Sequence, residues 1–363
     1  MERVDLTLPL ASTLVGPIGY CPYQASVQSP GDRRRFPTVA RKLGLEWQVF
    51  QEGTQYRTIY VTSNADLTRF SRWPQDGTKI VFEMVDSYLE APTWHPKTMI
   101  RGVGKWALGH HRHLELSYSK TIEAMCRRAD LVVCSTPEQR DRMSGWNGNI
   151  HCILDLHEEL GAARTNGRPD TGTINIFWEG LGQTTAHFAE IARPLQALAS
   201  ERPIRLHLVT DLSYKALNVP GLAWDTKKRM RKLLAGVNFF LAEWNPTAIE
   251  ALAATCDFAV LPINRSDRMA RSKPENRLLI AWHLGLPAIV SDTPAHTRLM
   301  TDYGGPRWLC RGEGDWLSSL RDACDSATAR ERASQAGLAY ATREHSTEVL
   351  LGKWQSALAT ISS

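Results

Sequence analysis

Apolar and polar positions follow two registers along this chain. Short apolar runs of strand length alternate with longer stretches in which apolar residues recur at three- and four-residue spacing, the mark of helices. In the N-terminal half, strands are expected at 47–50, 58–62, 79–85 (KIVFEMV), 131–134 and 150–154, with helices over 35–43, 66–70 and 106–128. In the C-terminal half, strands are expected at 173–178, 205–210, 237–241, 258–263, 287–291 and 308–309. The helices there run from the turn 179–182 to about 199, around the basic segment 227–232, and over 246–255, 274–284, 316–324 and 327–361. Alternating strands and helices predict the α/β class with doubly wound sheets. Residues 161–172 (GAARTNGRPDTG) have no periodicity and are rich in turn formers, so they are expected to link two domains, 1–160 and 173–340, with 341–363 as a terminal helix.

One stretch organises the rest: CDFAVLPINRSDRMARSKPENRLLIAWHLGLPAIVSD, 256–292. It reads as a buried strand, a polar loop with Arg265, Arg268, Arg271 and Lys273, a helix with Pro274 in its first turn and Gly285 as its stop, then a second buried strand. Open parallel sheets bind ligands outside the carboxyl ends of their strands, and a helix start flanked by Arg and Lys suits phosphate. A diphosphate-bearing ligand is therefore expected.

Composition narrows the class. The 363 residues suit two domains, and 43% hydrophobic with 22% charged residues is a globular balance. A net charge of +5 without a long basic block gives no nucleic-acid arm, and the triplet Arg33, Arg34, Arg35 reads as a solvated loop. Seven scattered cysteines without C-x-x-C spacing point to a reducing, cytoplasmic setting. Glu2, Asp5, Pro9 and Pro17 argue against a signal peptide at the start. No run approaches the ~20 apolar residues of a membrane span, so any membrane contact would be peripheral, at the inner face.

The run DFAVLPI…KPENRLLIAWHLGLPAIVSD resembles the donor-binding segment of GT-B glycosyltransferases, in particular the retaining family 4 group, and RRADLVVCSTPEQRDRM…NIHCILD resembles the end of their acceptor domain. The resemblance implies two Rossmann-like domains facing across a cleft, a nucleotide-diphosphate sugar as co-substrate, and a hydroxyl of a glycan, lipid-linked saccharide or small metabolite as acceptor. By that register Arg277 falls where many members carry Lys. The family's Glu-x7-Glu positions are Ser272 and Ile280 here, which leaves Glu275 or Asn276 to hold the ribose.

Within that frame Arg271, Lys273 and Arg277 are the preferred cations against the departing nucleotide, ahead of Arg265 and Arg268, because preorganised charge aimed at the leaving phosphate lowers the barrier. Gly180 and Gly182 would let backbone amides approach the ligand, and Trp244 would flank the base. Asp86, at the end of the clearest N-terminal strand, is a general base or a helix cap. His110, His111 and His113 lack zinc spacing and read as a polar helix face. There is no Asp-x-Asp motif, and neither a metal nor a further cofactor is called for. A catalytically silent binding protein of the same shape is the alternative, motivated by the missing glutamates; an epimerase of that shape ranks below both.

Overall fold

The computed structural model describes residues 17–90, 106–107, 109, 111–161, 172–215 and 223–362. His110 and all but the ends of the expected linker 161–172 lie outside these. The chain divides into two compact units, Met1–Leu156 with Thr347–Ser363, and His157–Ser346.

The first unit holds a six-stranded sheet made of β1 (Ile18–Cys21), β2 (Trp47–Val49), β3 (Thr58–Thr62), β4 (Lys79–Met84), β5 (Leu131–Cys134) and β6 (Ile150–Cys152). Their order is β2-β1-β3-β4-β5-β6 and every pairing is parallel. The central strands are mostly apolar because helices cover both faces, with Glu83 of β4 as a buried charge among them. Ile59, Val61, Ile80, Phe82, Val132 and Cys134 are fully buried, and each such aliphatic or aromatic side chain contributes about 1.5–3 kcal/mol. The helix expected over 106–128 is interrupted: Trp106 and Ala107 are helical, 111–117 are not, and a separate helix runs Tyr118–Arg128, where the Ser117 side chain caps it by accepting from Lys120 N. The preceding turn is held otherwise, with Arg112 N and His113 N donating to Asp66 Oδ2 and Thr68 Oγ1 at 2.7 and 3.1 Å.

The second unit has its own six-stranded sheet: β7 (Ile174–Glu179), β8 (Ile204–Thr210), β11 (Phe239–Glu243), β12 (Phe258–Leu261), β13 (Ala288–Ser291) and β14 (Leu309–Cys310). The order is β11-β8-β7-β12-β13-β14, all parallel. Between β8 and β11 lies an antiparallel pair, β9 (Ser213–Lys215) and β10 (Ala223–Asp225), which the apolar pattern did not announce. After β7 the chain forms a 3-10 stretch, Gly182–Glu190, before the α-helix Ala192–Glu201, where one continuous helix was expected.

The C-terminal region is two helices, Ala327–His345 and Thr347–Ala359, with Ser346 between them. Residues 341–345 stay with the second unit because this helix packs tightly there. A Cβ at Gly337 would stand 2.5 Å from Trp282 Cδ1, and Ser334 Oγ donates to Gly285 O at 2.7 Å. The last helix belongs to the first unit, where Trp354 is fully buried and its ring lies 6.3 Å from that of Tyr60.

Candidate nucleotide site in the second unit

Chain order and strand order part company between β7 and β12. The strands that follow β7 run outward on one side through β8 and β11, and the sheet then resumes on the other side with β12, β13 and β14. Loops leaving the carboxyl ends of β7 and β12 therefore diverge, and the gap between them is where such sheets take ligands.

The loop after β12 is locally built. Ser291 Oγ, at the end of β13, accepts from Ile263 N at 2.8 Å and ties the start of the loop to the neighbouring strand. Asn264 Oδ1 accepts from Ser266 N at 2.9 Å, forming an Asx turn. Asp267 then caps the short helix Arg268–Arg271 through Ala270 N. The helix Asn276–His283 starts after the cap residue Glu275, two residues later than the pattern implied, and is followed by Gly285, whose φ of 68° is the left-handed conformation glycine takes at little cost.

This construction divides the expected cations into two groups. Arg265 and Arg271 line an open depression of about 320 Å³ with Asp292, Thr293, Pro294 and Thr297, at the end of β13. Arg265 Nη1 also donates to the carbonyl of Arg311, and Arg311 Nε pairs with Asp292 Oδ2 at 2.8 Å. Arg268 and Arg271 are exposed. Lys273 and Arg277 instead lie near His187, whose pKa falls to about 4: burial is the main cause, and the two cations add to it against Asp267. His187 Nδ1 accepts the amide of Asn264 at 3.2 Å. The ring is thus neutral with its proton on Nε2, a donor beside two cations.

Arg277 is the centre of the group. It keeps some surface overall, yet Nη1 is sealed from solvent and makes no hydrogen bond. Burial lowers its pKa, opposed by the charge of Glu179 at the end of β7. Glu179 is only 5% exposed, and its Oε1 is likewise buried without a partner. Oε2 accepts from Trp244 Nε1 at 3.4 Å. The two opposite charges form no ion pair with each other among the described residues. Thr210 Oγ1, at the end of β8, and Asn276 Oδ1 are also sealed and unpartnered. Most buried polar groups in proteins are hydrogen-bonded, so the four orphans Arg277 Nη1, Glu179 Oε1, Thr210 Oγ1 and Asn276 Oδ1 make this sheet edge a candidate for a polar ligand.

Several expectations change on this geometry. Glu275 is 4% exposed and both its oxygens accept from Arg298 Nη2 at 3.1 Å, so its carboxylate is committed to a structural ion pair. The glycines serve packing more than ligand approach. Gly180 N donates to Val209 O at 3.2 Å and Gly182 N to Asp211 Oδ2 at 2.8 Å, so neither amide is left for phosphate. A Cβ at Gly182 would stand 2.6 Å from the Tyr214 ring. Trp244 is half-buried and hydrogen-bonded to Glu179. Asp86 lies on the first unit, where its backbone carbonyl accepts from Gln139 Nε2 at 3.1 Å.

Glu179, His187 and Thr210 went unremarked in the sequence as site residues. A carboxylate closing the apolar strand INIFWE was the available signal, since a charge at the end of a buried strand needs a reason. Arg35 departs from expectation in the opposite sense. The supposed solvated triplet ends in a fully buried guanidinium that donates to Glu83 Oε1 at 2.5 Å, Asp155 Oδ1 at 2.9 Å and Ile153 O at 3.0 Å.

No family model matches the sequence, and no curated protein matches it either. Solved structures do. S. aureus TarM, crystallised with UDP among its ligands, aligns with a TM-score of 0.57 at 10% identity over 83% of this chain and 55% of its own. Anabaena HepE in complex with UDP aligns at 0.55 with 12% identity over 89% of each chain. WaaG, a glycosyltransferase involved in lipopolysaccharide biosynthesis, aligns at 0.51 with 13% identity over 94% of this chain and 98% of its own. The chain thus spans about half the length of the first and nearly all of the last. The fold it shares with them is GT-B, two parallel-sheet α/β domains. Among the described residues no helix is long and apolar enough to cross a membrane.

Proposed function

We propose that this protein transfers a sugar from a nucleoside-diphosphate sugar to a hydroxyl group. The observation that carries this reading is Arg277: a guanidinium with a sealed, unpartnered Nη1, set at the switch point of a parallel sheet and facing the field of Glu179, whose Oε1 is likewise unpartnered. A diphosphate would satisfy the cation, and hydroxyls of the ribose or the sugar would satisfy the carboxylate. The fold shared with structures that hold UDP supports the same ligand class.

In glycosyl transfer, negative charge grows on the leaving phosphate while positive charge grows on the sugar. Arg277 and Lys273 would hold the phosphate, and the neutral His187 would donate from Nε2 without a proton having to move. These groups do what a divalent metal does in other sites, so the reaction is proposed to be metal-independent. Retention of configuration follows the family 4 resemblance, and Asp86 is the candidate to accept the acceptor's proton. Glycans, lipid-linked saccharides and small metabolites are the acceptor classes, and nucleic acid is not a partner. All seven cysteines are free thiols, which suits a cytoplasmic setting.

Calorimetry with UDP, GDP and ADP sugars tests the site. Wild type is expected to bind at least one, and Arg277→Ala to lose it while unfolding like wild type. Equal affinity in that variant would overturn the assignment. The commitment of Glu275 to Arg298 leaves the neutral Asn276 as the candidate in this segment for the ribose, where family 4 carries a glutamate, which favours, as a second reading, a protein that binds donor without turning it over. Nucleotide release on incubation with donor, with or without acceptor, decides between the two.

A further inference from the structure

The positive charge of this chain is not spread evenly. The whole sequence carries a net +5. The β9–β10 strands and the helix Thr226–Leu233 alone hold six basic residues, Lys215, Lys227, Lys228, Arg229, Arg231 and Lys232, against the single acid Asp225. The rest of the molecule is therefore close to neutral. This cluster has no place in the nucleotide site described above.

The helix explains how the charge is displayed. Thr226 and Met230 are fully buried, one turn apart, and fix the face that meets the core. Lys227 and Arg231, and Lys228 and Lys232, are four residues apart on the opposite face, and all four are exposed. Asp225 spends its carboxylate on Lys228 N at 2.7 Å, as the helix cap. No ion pair satisfies the four exposed cations among the described residues.

Large apolar side chains are exposed beside them. Trp224 is 46% and Leu212 46% exposed, and Leu181 is 47% exposed next to Gly182, which packs on Tyr214 of the same pair of strands. Leu212 is tied to the helix start, its carbonyl accepting from Thr226 N at 3.0 Å. The Arg229 guanidinium lies 5.0 Å from the Trp224 ring centre and also donates to Tyr214 Oη. One side of the indole is thus occupied by a cation, which disfavours its use as a stacking platform for bases. Its remaining apolar surface, with Leu181 and Leu212, has no role against a purely ionic polymer. Cations ringing exposed Trp and Leu match a lipid interface, where headgroup phosphates meet the ammonium and guanidinium groups and the aromatic ring sits at headgroup level.

We propose that the helix Thr226–Leu233 with Trp224, Leu181 and Leu212 seats the protein on an anionic lipid bilayer. This inference does not depend on the chemistry proposed for the nucleotide site, and its failure would leave that chemistry standing.

Co-sedimentation of the full chain with phosphatidylcholine vesicles, with and without phosphatidylglycerol, is the test. Binding is expected only to the anionic vesicles and is expected to fall as salt is raised. The variant Lys227→Glu/Lys228→Glu/Arg231→Glu/Lys232→Glu should lose about tenfold or more of that binding, and Trp224→Ser about threefold. Nucleotide affinity should be unchanged in both, which also reports that they are folded. Should the fourfold variant not fold, Trp224→Ser and the salt titration still decide. Wild type that ignores anionic vesicles, binds neutral ones equally, or is unaffected by the substitutions overturns the proposal. So does wild type that binds single-stranded DNA or heparin but not vesicles.

Discussion

Two arginines divide the labour of this protein. Arg35 in the first unit is fully buried and fully answered: Glu83, Asp155 and the carbonyl of Ile153 take its donors, and its guanidinium lies 5.8 Å from the centre of the Trp354 ring. Burial alone would lower its pKa, yet Glu83 and Asp155 outweigh burial and hold it above the ordinary value. Arg277 in the second unit has a sealed Nη1 and no hydrogen bond, and there burial prevails over Glu179 and lowers the pKa. The same side chain is a strut in one place and, in the site proposed above, the group that would hold a phosphate in the other. Satisfaction of donors, not burial, separates structure from binding.

The comparison can be broken experimentally. Arg35→Ala leaves Glu83 without its guanidinium partner and should cost about 3–5 kcal/mol of stability, measured by urea unfolding. Arg277→Ala should do the reverse, leaving stability level or slightly higher while nucleotide affinity drops about a hundredfold in calorimetry. If the two variants behave alike, the distinction is wrong.

Glu179→Gln should lower nucleotide-sugar affinity about tenfold, because a charged acceptor becomes a neutral one. Glu275→Ala sharpens the point from the other side. It should cost about 1–3 kcal/mol of stability through loss of the Arg298 pair, with nucleotide affinity within about twofold of wild type.

Burial also shapes the pH dependence of stability. His187 and His296 have pKa values lowered from 6.5 to about 4, chiefly by burial, with Arg277 adding to both. Their folded forms resist protonation while the unfolded chain takes up protons near pH 6.5. Stability is therefore complete above that pH and declines as pH falls from about 6.5 to about 4. Urea midpoints across this window should show the decline, and His296→Gln should flatten it.

Much of the architecture was legible in the sequence. Runs such as LVVC at β5 and FAVL at β12 are apolar throughout, because strands covered on both faces bury every side chain, and that pattern survives without knowledge of partners. Gly285 as a helix stop was equally local. The hairpin β9–β10 was hidden because its burial is slight: all three residues of β10 are exposed, so nothing apolar recurs to announce it.

The site was legible in its location but not in its membership. The cationic loop and its place after a buried strand follow from neighbours in sequence. That Arg265 and Arg271 go one way while Lys273 and Arg277 go another does not, nor does the capture of Glu275 by Arg298, twenty-three residues on. Which charge is answered depends on partners brought from distant strands, as with Arg35 and Asp155, 120 residues apart. Sequence determines which side chains are available and which segments must be buried. Only the tertiary structure decides which buried charges find partners and which are left for a ligand, because that is a matter of distances of a few ångströms between elements far apart in the chain.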